Sequence, residues 1–267
     1  VTRMDGEHAG RFDGRVALVT GAGSGIGAAV AGRLAGQGAE VFTVDVDGPA
    51  AQAVAKKLPR AQPLTVDVAE PAQVDRAFAE VSRRHGRLDI VVHAAGVDDV
   101  TAKEWIAEAL VAGRPPEVTG RLGDDGWRRV VRVNLDGTFH VLRAALRAMV
   151  PHRSGAVVTV GSSSAFDTLA GYPHYAASKA GVHALSQSVA KEAIAFGVRV
   201  NTVAPGPTET GMAARTPAAL RHGFAGPRVR PYATPEEIAD IAVFLASDES
   251  ANLVGAVLLA NGGRFTV

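Results

Sequence analysis

Tyr175 and Lys179 stand four residues apart in HYAASKAGV, a run otherwise rich in small helix formers. On a helix that spacing puts a phenol and an ammonium on one face. An ordinary tyrosine titrates near ~10, and an adjacent ammonium stabilises the phenolate and lowers that value. The chemistry expected of the pair is proton transfer to or from an alcohol oxygen. Only five of the cations are lysines, at positions 56, 57, 103, 179 and 191, against 23 arginines, which sets Lys179 apart from general helix decoration. Taken alone, the pair equally describes an amphipathic helix with a snorkelling lysine. The neighbourhood decides. VTVGSSSAF puts three serines at the end of an expected strand, and Ser162 lies thirteen residues before Tyr175. A hydroxyl there is suited to hydrogen-bond a substrate carbonyl, whereas Ser163 and Ser164 read as turn chemistry.

A second constellation lies near the start of the chain. VTGAGSGIGAAV, residues 19–30, joins an expected strand to an expected helix. Glycine permits positive φ and close approach of a backbone or a phosphate, and the helix start offers free N–H groups to a pyrophosphate. A glycine-rich loop is weak evidence by itself, but this one sits where the dinucleotide fingerprint requires it. Asp45 ends the second strand, twenty residues after Gly25. A carboxylate there accepts hydrogen bonds from the adenosine ribose and repels a 2′-phosphate. Neither Ser24 nor Val46 brings a compensating positive charge, so NAD(H) is expected rather than NADP(H). Asp67, in TVDVAE, reads either as a residue at the adenine edge or as a cap for the helix beginning at Pro71.

The elements that must position these groups alternate along the chain. Strands are expected at 16–20, 40–45, 63–66, 88–93, 156–161, 198–203 and 256–259. Helices are expected at 26–37, 49–58, 71–85, 125–150, 175–196 and 235–246. The strands are short, continuous apolar runs, as when both faces are covered. The pattern predicts an α/β fold, one doubly wound parallel sheet of seven strands with helices on both faces. Residues 1–14 are polar and glycine-rich, without the apolar run of a leader, and predict a loose tail before a single domain over 15–267. Two stretches break the alternation: 97–123, which holds the helix candidate AKEWIAEAL, and 207–230, rich in Arg, Pro and Gly. Both follow strand C-termini, where ligands bind in such sheets. They are expected to form an insertion and a lid beside the site.

Composition narrows the function classes. Lys plus Arg (28) nearly balances Asp plus Glu (27), and a net charge of +1 gives no electrostatic case for nucleic acid. The chain has no cysteine, which removes disulfides, thiolate metal sites and a cysteine nucleophile and fits a cytoplasmic location. No apolar run approaches the ~20 residues of a membrane span. The eight histidines form no ligand-spaced cluster, so no metal is expected. Arg215, Arg221, Arg228 and Arg230 read as a solvated basic loop rather than a site for an anionic substrate.

Together TGAGSGIG, the strand-end Asp45, the serine thirteen before YAASK, and NTVAPGPTET resemble the classical short-chain dehydrogenase/reductases, over nearly the whole chain from about Arg15 to Gly263. The resemblance implies a Rossmann-type fold. It matches Thr20, Gly21, Gly25 and Gly27 to the cofactor loop, and Ser162, Tyr175 and Lys179 to the catalytic serine, tyrosine and lysine. Asn134 matches the asparagine that kinks a long helix and holds a water of the proton relay. Pro205, Gly206 and Thr210 match the segment that binds the cofactor carboxamide. Further cofactor contacts are implied at Ser24, Ile26, Asp67, Val68, Ala95, Gly96 and Thr208. The usual N-N-A-G after the fourth strand is HAAG here, so the asparagine bracing is missing. His93 is then either a partial substitute or a packed residue. The span from Gly96 to Asn134 exceeds the family norm by about fifteen residues, an unusually long connection.

The implied activity is hydride transfer between nicotinamide C4 and a carbinol or carbonyl carbon, with a small or medium secondary alcohol or ketone as substrate. Lys179 is further implied to hold the nicotinamide ribose. Two alternatives stay open: a 3-oxoacyl reductase acting on acyl-carrier or CoA substrates, and a nicotinamide-binding protein without turnover. Phe196, where acyl-carrier reductases of the family often have a basic residue, weighs against the former. The family also implies a homotetramer built on the two long helices.

Overall fold

The computed structural model describes residues 10–222 and 232–267. Seven parallel strands form one sheet in the order β3-β2-β1-β4-β5-β6-β7. They are β1 (Val16–Thr20), β2 (Glu40–Asp45), β3 (Ala61–Thr65), β4 (Ile90–His93), β5 (Gly155–Val160), β6 (Val198–Pro205) and β7 (Val257–Ala260). β1 pairs with both β2 and β4, so the winding reverses at β1. That reversal opens a crevice beyond the strand C-termini.

Period-two alternation sorts each strand between two cores. Val16 and Leu18 of β1 join one apolar cluster, together with Phe42, Val91 and Val157. Helices α3 (Pro71–His85), α6 (Gly137–Met149) and α7 (Pro173–Ala193) close that face through Phe78, Leu142 and Ala190. Ala17 and Val19 point the other way, to α1 (Gly25–Gly36) and α10 (Pro235–Ala246), where Leu34 and Ile238 are buried. The remaining helices are α2 (Gly48–Ala55), α4 (Val100–Val111), α5 (Asp124–Val131), α8 (Gly211–Ala214) and α9 (Ala218–His222).

Local signals explain where the helices begin and end. Thr234 and Glu237 form a reciprocal capping box at α10, with Pro235 in its first turn. Asp47 caps α2 by accepting from Ala50 N–H at 3.0 Å. Gly86 closes α3 in the left-handed region, φ 67°. The long helix expected over 125–150 is not uniform. α5 passes into a π-helical turn, Arg132–Asp136, before α6 resumes. A residue is thereby inserted into the helical register at Asn134.

The loose tail expected over 1–14 is too long. Residues 1–9 lie outside the described residues, but Gly10–Gly14 form a packed turn. Phe12 is 3% exposed within the α1 and α10 core, and its N–H donates to Gln37 O at 2.9 Å. Asp13 Oδ2 accepts from Gly10 N–H at 2.6 Å and tightens the turn. Sequence polarity hid one anchoring aromatic in a hydrophilic run. Phe12→Ala is expected to destabilise the fold by ~3–5 kcal/mol, read as a lower urea midpoint. A freely moving tail would give no shift.

Candidate functional site

A cavity of about 860 Å³ lies over the C-terminal ends of the strands. Its wall includes Gly21, Ser24, Gly25, Ile26 and Gly27 from the first loop, and Asp45, Asp67 and Val68 from the ends of β2 and β3. Ala95 and Gly96 follow β4, and Ser162, Tyr175 and Lys179 come from β5 and α7. Pro205, Gly206, Thr208 and Thr210 line the part that follows β6. Every residue expected at the site lines this one space except Thr20 and Asn134, which are buried behind it.

The glycine loop is shaped by close packing. Gly21 has φ +66°, and a Cβ on it would stand 2.7 Å from Ala95 N. A Cβ on Gly27 would overlap Gly21 O, so the first turn of α1 can lie against the loop only without one. Ser24 is the N-cap of α1 and makes no side-chain bond to the turn, which leaves the first amides to a ligand. Asp45 braces the loop as well as facing the cavity: its Oδ2 accepts from Gly23 N–H at 2.9 Å, and its Oδ1 from Asp47 N–H at 3.0 Å. Asp67 does not cap the next helix. Glu70 is the N-cap of α3, and Asp67 Oδ1 accepts from Ala69 N–H at 2.9 Å within its own turn. His93 contributes bracing: its Nδ1 lies 2.7 Å from Thr20 Oγ1, which accepts from Ala95 N–H at 3.3 Å. A glycine cradle, a free helix start and a strand-end carboxylate fit a nicotinamide dinucleotide.

Around Tyr175 the geometry is dense. Lys179 is 6% exposed, and its Nζ donates to Val160 O, 2.8 Å away at the end of β5. Burial lowers its pKa to about 8. Ser162 is 7% exposed, and its Oγ accepts from Ser164 N–H at 3.1 Å. Tyr175 retains some exposure to the cavity, yet desolvation is the largest influence on its phenol and raises the pKa above the ordinary value. A hydrogen bond with Ser162 opposes that rise, and the Asp98 charge adds to it. The lowering by Lys179 expected from the four-residue spacing is therefore not the dominant effect in this fold.

Asn134 sits behind the cavity wall rather than on it, 1% exposed. Its Oδ1 accepts from Val97 N–H at 2.8 Å, and its Nδ2 donates to Val97 O at 3.0 Å and Ser178 Oγ at 3.1 Å. A Cβ on Gly96 would stand 3.2 Å from Asn134 Oδ1 and 3.5 Å from Lys179 Nζ. The π-helical turn thus brings Asn134 against both the loop after β4 and α7.

Several charged groups at the cavity escaped sequence reasoning. Asp98 is 4% exposed and pairs closely with Lys103 of α4. Lys103 Nζ also donates to Met212 O at 3.2 Å and Thr216 Oγ1 at 2.8 Å. Arg215 approaches Asp98 Oδ1 at 3.4 Å, so it is not simply a solvated basic residue. Arg228, Arg230 and the side chain of Arg221 lie outside the described residues. The 97–123 stretch and the segment after β6 are joined by this polar knot, and Ile106 and Leu110 of α4 add an apolar wall. The adjacent acids in GVDDV, just past a strand end, are a local sequence signal for it.

The family follows from comparison with known proteins. A family model described as enoyl-(acyl carrier protein) reductase matches residues 21–264. The chain is a short-chain dehydrogenase/reductase. It is 34% identical to 3-oxoacyl-[acyl-carrier-protein] reductase FabG of Escherichia coli (strain K12), over 96% of this chain and 99% of that protein. It is 37% identical to D-threitol dehydrogenase of Mycolicibacterium smegmatis (strain ATCC 700084 / mc(2)155), over 95% of this chain and 94% of that protein. The crystal structure of gox2181 superposes with a TM-score of 0.82 at 30% identity, covering 94% of this chain and 95% of that one. Members of this oxidoreductase family bind a nicotinamide cofactor. Among the described residues no helix is long and apolar enough to cross a membrane, and no cluster of His, Asp and Glu could hold a metal ion.

Two imidazoles near Lys179 make stability pH-dependent. Burial, with the Lys179 charge added, holds His93 down to about 3 and His183 down to about 4, from an ordinary 6.5. Below about 6.5 the unfolded chain takes up protons that the native protein refuses. The stability owed to these two imidazoles is therefore full above that pH and falls as the pH drops toward 4. The melting temperature is expected to decline across this window, and His93→Gln to flatten the slope. An unchanged slope in that variant would contradict a neutral buried His93.

Proposed function

We propose that the protein is an NAD(H)-dependent oxidoreductase that interconverts a secondary alcohol and a ketone. The observation that carries this is the meeting of Tyr175, Ser162 and Lys179 in the same cavity as the glycine loop and Asp45. When bound, the nicotinamide accepts or returns a hydride at C4. The protein supplies orientation, desolvation and the proton. In the oxidising direction the Tyr175 phenolate oxygen would take the hydroxyl proton while the carbinol carbon gave up its hydride to the bound cofactor. Ketone reduction reverses both movements, and the Tyr175 phenol then donates.

Each neighbour has a part in that transfer. Ser162 Oγ holds the substrate oxygen within reach of the phenol. Lys179, which lines the cavity, would hold the nicotinamide ribose and set positive charge beside it. Asn134 ties the loop after β4 to α7, so that the two walls keep a constant separation. Asp45 would accept the adenosine ribose hydroxyls and disfavour a 2′-phosphate by like-charge repulsion. The substrate wall mixes apolar Ile106, Leu110, Leu169 and Leu220 with the paired Asp98 and Lys103. This suits a compact alcohol with an apolar portion. Similarity to the FabG proteins over nearly their full length favours a second reading, reduction of 3-oxoacyl thioesters. The protein is further proposed to act as a homotetramer in the cytoplasm.

The test offers NAD+ and NADP+ in parallel against secondary alcohols, and NADH with 3-oxoacyl thioesters, following nicotinamide absorbance. Turnover with NAD+ and an alcohol class supports the proposal; turnover confined to NADP(H) overturns the Asp45 argument, and turnover confined to thioesters selects the second reading. Asp45→Ser is expected to narrow the NAD+/NADP+ preference by about tenfold, equivalent to ~1.4 kcal/mol of removed repulsion. Tyr175→Phe is expected to lower kcat by about 10²–10⁴-fold while NADH binding persists. Near-normal turnover in Tyr175→Phe would end the acid/base assignment.

The pH profile gives an independent check. Burial favours the neutral phenol, so alcohol oxidation is expected to rise with pH through neutrality into the alkaline range. Asp98→Asn removes a charge that raises the phenol pKa, and the rise should then move to lower pH. A shift in the opposite direction would contradict the role given to Asp98.

A further inference from the structure

α7 presents three polar side chains at four-residue intervals: Tyr175, Lys179 and His183. The proposed chemistry uses the first two. His183 is 7% exposed, and its Nε2 accepts a hydrogen bond from Ser162 N–H at 3.3 Å. The β5–β6 ladder ends one residue earlier, where Gly161 N–H donates to Val203 O at 2.8 Å. The next amide, that of Ser162, is taken by a side chain of the helix instead of by a strand.

Two further features show that the imidazole is fitted to this place. A Cβ on residue 161 would fall inside van der Waals contact of His183 Nε2 and stand 3.0 Å from Thr202 Cγ2, so the approach requires Gly161. Phe166, on the far side of the serine turn, packs its ring on His183 with centroids 5.1 Å apart. For Nε2 to accept, the ring proton must sit on Nδ1. Burial and the Lys179 charge both favour that neutral form. Ser162 is then held at its amide by His183 and at its hydroxyl by Ser164 N–H.

We propose that His183 is a positioning residue for catalysis: by accepting the Ser162 N–H it fixes the Ser162 hydroxyl relative to the Tyr175 phenol on the same helix. The inference rests on the roles proposed above for Ser162 and Tyr175. It assigns a third function to α7, which thereby carries the acid/base and its charged neighbour and also sets where the substrate-orienting hydroxyl stands. An amide without its acceptor would seek another partner and take the serine turn with it. Misplacement of a reacting group by about 1 Å can cost about 10²-fold in rate.

The variants are His183→Leu, which removes the acceptor, and His183→Gln, whose Oε1 can reach the position of Nε2. His183→Leu is expected to lower kcat by about 10–100-fold, with KM for NAD+ unchanged, and His183→Gln to recover to within a few-fold of the parent. A double-mutant cycle isolates the route of the effect. If His183 acts through Ser162, the loss caused by His183→Leu disappears when Ser162 is already alanine. Equal losses in both backgrounds would overturn the proposal, as would full activity in His183→Leu. A Ser162→Ala protein that turns over normally would instead refute the underlying reading of Ser162.

A readout free of turnover accompanies the kinetics. In the unsubstituted protein, nitrogen NMR of labelled histidine should show His183 Nε2 as an unprotonated acceptor, and the Ser162 amide should exchange slowly with solvent. That amide should exchange faster in His183→Leu than in His183→Gln. A protonated Nε2, or fast Ser162 exchange in the unsubstituted protein, overturns the proposal even if the leucine variant fails to fold.

Discussion

The hydrogen bond from Lys179 Nζ to Val160 O, 2.8 Å long and almost wholly buried, joins the helix that bears Tyr175 to the C-terminal end of β5. Much of the site depends on it. It fixes the height of α7 over the end of β5, and so the distance from Tyr175 to the serine that follows that strand. Asn134 then secures the same helix from the other side through Ser178 while gripping both backbone groups of Val97. A buried ammonium is costly unless hydrogen-bonded, and burial indeed brings Lys179 down to about 8. In the proposed mechanism that cost provides the positive charge on the cofactor side of the site.

Much of this was legible in residue order, for a physical reason. A parallel strand covered on both faces must read as a short apolar run, and glycine is the only residue that fits a loop lying against another backbone. β1, β2, α3 and α10 follow directly from such signals, and the boundaries of the other strands move by a residue or two, as end fraying allows. The long helix was legible as a helix and not as a π-turn. The inserted residue leaves no mark in hydrophobic periodicity, and Asn134 betrays it only through the family likeness. The packed turn around Phe12 was illegible because a single aromatic in a polar run carries no period at all.

Long-range polar contacts were the other blind spot. Lys103 reaches Met212 O and Thr216 across more than a hundred positions of sequence, and Arg215 reaches back to Asp98. Nothing in local spacing says that an insertion helix and a segment after β6 will meet. Composition hinted at it in one respect. Lysine is scarce in this chain, and two of the five, Lys103 and Lys179, line the cavity. A compact ammonium has three donors to satisfy, and Lys103 finds Asp98, a carbonyl and a hydroxyl.

The phenol shows why spacing alone misjudges electrostatics. Four residues on a helix bring an ammonium near a phenol and predict a lowered pKa, but spacing is blind to how much water the phenol loses. Here desolvation is the larger influence, and Asp98, itself invisible to the helical pattern, pushes the same way. The net effect holds Tyr175 protonated at neutral pH, the form that donates to a developing alkoxide. The ammonium's contribution is better placed on the cofactor side of the site, where a fixed positive charge in a poorly solvated wall acts without having to compete with water. Ketone reduction thus needs no strongly acidified tyrosine: it needs a phenol kept neutral until a proton is wanted, with a serine held still enough to present the oxygen that takes it. Alcohol oxidation needs the phenolate instead, which is why it is expected to gain with rising pH.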